Sequence, residues 1–149
     1  MSQVQRVIAL INDEKAPREA RRAVRHALFA WEYGEGVADV ATLLASELVT
    51  NAIRHAPDSI RVKVRFAIRG EVLAIEVHDE SPAMPVWKAA AVDAESGRGL
   101  GIIDAVAAEH GGRCGFRPDA HGKWVFVTLK VPPVPKHVHA RELAGSGAA

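Results

Sequence analysis

The sequence predicts an α+β fold: a two-layer α/β sandwich in which helices cover one face of a mixed, mainly antiparallel sheet. Three observations lead there. Some segments repeat apolar residues at helical spacing and others alternate them at strand spacing. Their order runs strand, helix, helix, strand, strand, loop, helix, strand, strand, which is not the alternation of a parallel α/β sheet. A chain of 149 residues is long enough for one domain with its own core.

Each element has a local reason. "VQRVIALI" alternates and reads as a first strand. Pro17 opens "PREARRAVRHALFAWEY", where Ala20, Val24, Ala27, Leu28 and Trp31 form a helical stripe that Gly34 and Gly36 are expected to end. A second helix over residues 38–55 stops at Pro57. "SIRVKVRFAIRG" and "EVLAIEVHD" then form an antiparallel pair with one wet face, joined by a tight hairpin at Gly70 and Glu71. "ESPAMPVWKAAAVDAES" breaks both periodicities over a length typical of functional loops, and is expected to be a mobile lid. "GRGLGIIDAVAAEHGG" reads as a glycine-rich turn and a helix that sets Leu100, Ile103, Val106 and Ala107 inward and stops at Gly111. "RCGFR" and "KWVFVTLKV" close the sheet through the turn "PDAHG". The domain is expected over residues 1–131, with a disordered tail over 132–149, where apolar content is low.

Composition excludes several function classes. Nineteen Lys and Arg against 18 Asp and Glu give a formal charge of +1, with no basic block interleaved with aromatics, so direct nucleic-acid binding is not expected. The single cysteine, Cys114, has no partner for an internal disulfide or a zinc site, which fits a reducing cytoplasm. No apolar run approaches the roughly 18 residues that span a bilayer, so no membrane partner is expected.

Three stretches carry candidate chemistry. In "SELVTNAIRHA", Glu47 and Asn51 lie one turn apart beside the apolar stripe of Leu44, Leu48 and Ala52, where both could meet one ligand. Glu47 is ionised at neutral pH and able to take a proton from a hydroxyl or water, although a lone helical glutamate is often a surface residue. The Asn51 carbonyl oxygen suits a magnesium shell. Asp79 ends a strand and can accept from a purine amine, or be an ordinary turn residue. Gly97, Arg98, Gly99, Leu100 and Gly101 open a helix whose free amides suit phosphate oxygens, with Arg98 adding a full charge. A glycine triplet is as often a plain turn and cap.

Taken in order, "SELVTNAIRHA", "VHDESPAMP", "GRGLGI" and "GKWVFV" resemble the asparagine, aspartate and two later glycine boxes of the Bergerat fold, the ATP-binding domain of gyrase B, heat-shock chaperones, histidine kinases and MutL. The likeness covers roughly residues 21–131 and is nearest to the small stand-alone anti-sigma-factor serine/threonine kinases. It implies ATP and Mg²⁺ as cofactors. Asn51 would hold the metal against the phosphates, Glu47 would be the catalytic base, and Asp79 would bind the adenine amine. Arg98, Gly99, Leu100 and Gly101 would border the phosphates, and Thr128 would stand near adenine in the family's threonine position. The sequence departs from the family after Asp79, where Ser81 and Ala83 replace glycines and Pro82 and Pro85 intervene.

A histidine kinase would need a phosphorylated-histidine helix, and a gyrase-like machine a following domain. Neither is visible here, so the chain is expected to act on a separate partner. The resemblance implies an anti-sigma-antagonist-type protein as substrate, sequestration of a sigma factor, and homodimerisation. The alternative is a non-catalytic regulator that uses bound nucleotide to shape a protein-binding surface, and a third reading is an α+β domain without a nucleotide site.

Overall fold

The computed structural model describes residues 3–81 and 95–146, with the side chains of α3 described from Gly101 onward. The lid expected over residues 80–96 falls outside this description for residues 82–94.

Among the described residues the order is β1 (Gln3–Ile11), α1 (Ala16–Ala30), α2 (Glu35–His55), β2 (Arg61–Arg69), β3 (Val72–Asp79), α3 (Glu95–Glu109), β4 (Cys114–Asp119), β5 (Gly122–Lys130) and α4 (Lys136–Ser146). The sheet order is β1-β2-β3-β5-β4, and every described pairing is antiparallel. The expected α+β sandwich is therefore present, with an antiparallel sheet instead of a mixed one.

Strand alternation decides which face is covered. Leu73, Ile75 and Val77 of β3 and Val125, Val127 and Leu129 of β5 are buried under the helices. α2 lies centrally, packed on β3 and between α1 and α3. Trp31, Leu28, Leu44, Leu48 and Phe66 are the largest fully buried side chains of the layer between helices and sheet. The opposite sheet face carries Arg65, Glu76, His78 and Trp124, with the Arg65 guanidinium 4.5 Å from the centre of the Trp124 ring. α2 is also the one described helix long and apolar enough to cross a membrane, which the sequence reading had not allowed for. Half of its most apolar stretch is buried, as expected of a core helix.

Two boundaries differ from expectation. Helix α1 ends before Gly34, because Glu32 itself takes a left-handed conformation (φ 66°) while the Tyr33 amide bonds back to the Leu28 carbonyl at 2.9 Å. Gly34 precedes α2, and Gly36 lies inside it.

The expected disordered tail is corrected: residues 136–146 form α4, docked against β1. Its fully buried Val138 supplies the apolar anchor. Polar groups do the rest. Glu142 pairs with Arg6, Arg141 donates to the Ala30 carbonyl, and the Tyr33 hydroxyl donates to the Pro132 carbonyl. Low apolar content misled here because long charged side chains hold the helix down by their tips.

Candidate functional site

The α2 C-terminus and the end of β3 meet at one corner. Asn51 is buried on α2 (7% exposed), and Glu47 one turn earlier is half-buried. Past the helix end, the Asn12 side-chain amide donates to the Ala56 carbonyl at 3.0 Å and to the Ser59 carbonyl at 2.6 Å, which fixes the turn into β2. The Ser59 hydroxyl in turn accepts from the Glu80 amide at 3.0 Å and holds the end of β3 against that turn. A cleft of about 240 Å³ opens there, lined by His55, Pro57, Asp58, Ser59, Glu80 and Ser81.

Asp79 is the last residue of β3 and follows the inward phase of Val77, so its carboxylate enters the helix-covered layer and is 1% exposed. An ionised carboxylate there needs a partner. It has Lys123, the residue directly opposite on β5, whose ammonium donates to Oδ1 at 2.8 Å. The Ser81 amide also donates to Oδ1, at 2.9 Å, and Lys123 reaches the Ser81 carbonyl at 3.3 Å. Gly122 makes this approach possible. At φ 143° it occupies a conformation that side chains rarely adopt, and a Cβ there would stand 2.0 Å from the Asp79 carbonyl oxygen.

Thr128 is not near Asp79. It pairs with Ala74 in the middle of the sheet, and its hydroxyl bonds the Arg113 backbone. The β5 position facing the aspartate is held by Lys123.

The glycine box also differs from expectation. The backbone is already helical from Glu95, so residues 97–101 are the first turns of α3 instead of a loose turn before it. Glu95 and Ser96 are residue types that helix starts favour, and glycine lowers helix propensity by only about 1 kcal/mol. The side chains of Arg98 and Leu100 lie outside the described ones, and so does any contact of Gly99. Gly101 is exposed, and a Cβ there would meet nothing within 4 Å. α3 packs against α2, the helix that carries Glu47 and Asn51.

The sequence reading also missed the outer side of this corner. The His78 ring lies tilted at 60° to that of Trp124, with ring centres 4.9 Å apart, and His78 meets Asp119 at 3.0 Å. The Asp119 carboxyl is held below the usual carboxylate range by the His121 amide first, then by His78 and Trp124.

The arrangement matches a known family. A model of the histidine kinase-like ATPase domain matches residues 11–129. The chain belongs to that family. The match runs from the last residue of β1 to the penultimate residue of β5 and takes in Glu47, Asn51, Asp79 and the glycine box. No curated protein matches the chain. The family implies ATP binding, usually with Mg²⁺.

The residues present fit the two ends of such a ligand unequally. At the phosphate end, an amide oxygen and a carboxylate sit beside an apolar helix stripe. Among the described residues no group of three His, Cys, Asp or Glu side chains is placed to hold a metal ion. A magnesium ion here would depend on phosphate oxygens and water together with Asn51. Asp79, the acceptor expected for the base, is already engaged by Lys123.

Proposed function

We propose that this chain is an ATP–Mg²⁺-dependent serine/threonine protein kinase of the anti-sigma-factor type. It acts in the cytoplasm, as a homodimer, on a separate anti-sigma-antagonist-type protein, and regulates transcription by sequestering a sigma factor. The observation that supports this reading is the corner itself: Glu47 and Asn51 stand on the helix that packs on β3, and β3 ends in the buried Asp79.

When bound, ATP supplies the phosphoryl group. The chain's own residues do the positioning. Asn51 would present its amide oxygen to the metal, and the amides that open α3 would meet phosphate oxygens. Glu47 accepts the proton of the partner's hydroxyl and aims that hydroxyl at the transferred group.

The test incubates the full chain and a candidate antagonist with labelled ATP and compares it with Glu47→Ala. Transfer by the native chain and loss of transfer with retained ATP binding in the variant is the expected result. Equal labelling by both removes Glu47 from the base role. A second reading, a regulator that uses nucleotide only to shape its surface, is favoured by the Lys123 ammonium on Asp79. It gains if ATP binds and neither protein transfers label.

A further inference from the structure

The acceptor that would read the base is not idle. A carboxylate only accepts hydrogen bonds, while an ammonium and the 6-amino group of a purine both donate, so they seek the same atoms. The ammonium has two advantages. Its bond to a carboxylate is charge-assisted and roughly twice as strong as one from a neutral donor. It is also delivered by the chain itself, without the loss of freedom that a diffusing ligand incurs.

The contact is built into the backbone. Lys123 is the cross-strand partner of Asp79, its side chain is 3% exposed, and its second bond goes to the Ser81 carbonyl. Gly122, immediately before it, is the residue that lets β5 press against the Asp79 carbonyl. Lys123 also falls in phase with Val125, Val127 and Leu129, so the alternation of β5 points the ammonium inward.

We propose that Lys123 is an internal competitor for the nucleotide base, a specificity-determining residue that cancels the preference for a 6-amino purine which Asp79 would otherwise give. The inference rests on the ATP-binding reading above. With the ammonium in place, a 6-keto purine is met no worse than a 6-amino one, since the keto oxygen can accept from Nζ. Affinity is then carried by the triphosphate end. Removing the ammonium frees Asp79 for the amine and leaves it facing the keto oxygen of the other base, acceptor against acceptor.

The experiment is calorimetric titration of the full chain, and of Lys123→Thr and Lys123→Met, with Mg-ATP and Mg-ITP. The native chain is expected to bind both nucleotides alike. The variants should bind ATP at least about tenfold more tightly than the native chain does, and should prefer it to ITP by a similar factor. A native chain that already prefers ATP by that factor, or variants that gain nothing while binding is measurable, overturns the role of Lys123 and leaves the ATP reading standing. Absence of binding by every protein at millimolar nucleotide overturns both. Should the variants not fold, the Nζ resonance of Lys123 in the native chain decides by nitrogen NMR. It must move on saturation with ATP, whose amine contests Asp79, and with ITP, whose keto oxygen accepts from Nζ, and an unmoved signal under ATP refutes the competition.

Discussion

A double-mutant cycle on Asp79 and Lys123 measures how the corner is held together. Both side chains are almost wholly buried, at 1% and 3% exposure, and one ammonium bond of 2.8 Å joins them. Lys123→Met keeps an unbranched side chain one atom shorter and removes its charge, which leaves the carboxylate in the covered layer with only the Ser81 amide, among its described contacts, bonded to it. Removing one partner of a buried pair costs about 3–5 kcal/mol, whereas replacing both by apolar groups is often close to neutral. For a chain of this size, each kcal/mol moves the melting temperature by roughly 3 °C, so the single variant should melt about 10–15 °C lower. Asp79→Leu with Lys123→Met should recover most of that loss and fall short by about 1 kcal/mol for the Ser81 amide left without its acceptor. Urea unfolding followed by circular dichroism gives all four free energies. A coupling energy under about 0.5 kcal/mol would show that the two groups do not sense each other, and the reasoning about the base end would fail with it.

Other consequences are open to direct measurement. Gly122→Ala adds a Cβ 2.0 Å from the Asp79 carbonyl oxygen at φ 143°, and should destabilise the chain by about 2–4 kcal/mol in the same urea assay. The Glu142 carboxyl is held below its ordinary value, first by its hydrogen bond from Arg6. Because the folded-state value is depressed, the stability from this group is complete above the unfolded value and is lost as pH falls through the folded one. Docking of α4 should therefore weaken below roughly pH 4.3, and urea midpoints of Glu142→Gln should lack that part of the acid dependence. The Cys114 thiol is pushed up to about 12, by burial first and then by Asp104. Alkylation by iodoacetamide at pH 8 should be slow, and Asp104→Asn should speed it measurably.

The fold was legible because two periods carry it. Alternation in "VKVRFAI" and "VFVTL" and the 3.6-residue stripes of α1 and α2 leave little choice of covered face. Boundaries were less legible where a residue acts against its type, as when Glu32 adopts the left-handed turn that glycine was expected to supply. α4 was missed because one buried valine and several side-chain tips leave no periodic trace. At the site, Asn51, Glu47 and Asp79 could be named from motif order alone. Lys123 could not, since a lysine after a turn reads as a solvated residue. The available signal was its phase, two residues before Val125, which gains meaning only once β5 is known to lie beside β3.

The docking of α4 along β1 also settles how the molecule can be handled. Ile11, at one end of β1, pairs with Arg61 beside the α2–β3 corner, while Gln3, at the other end, lies eight residues and roughly 26 Å away. Leu143 and Gly145 line a groove with Gln3 and Gln5 at that remote end. A tether fixed to either extremity of the described chain therefore leaves the α2–β3 corner facing away from the support, and a bead or sensor surface loaded in this way presents it to any protein passing in solution.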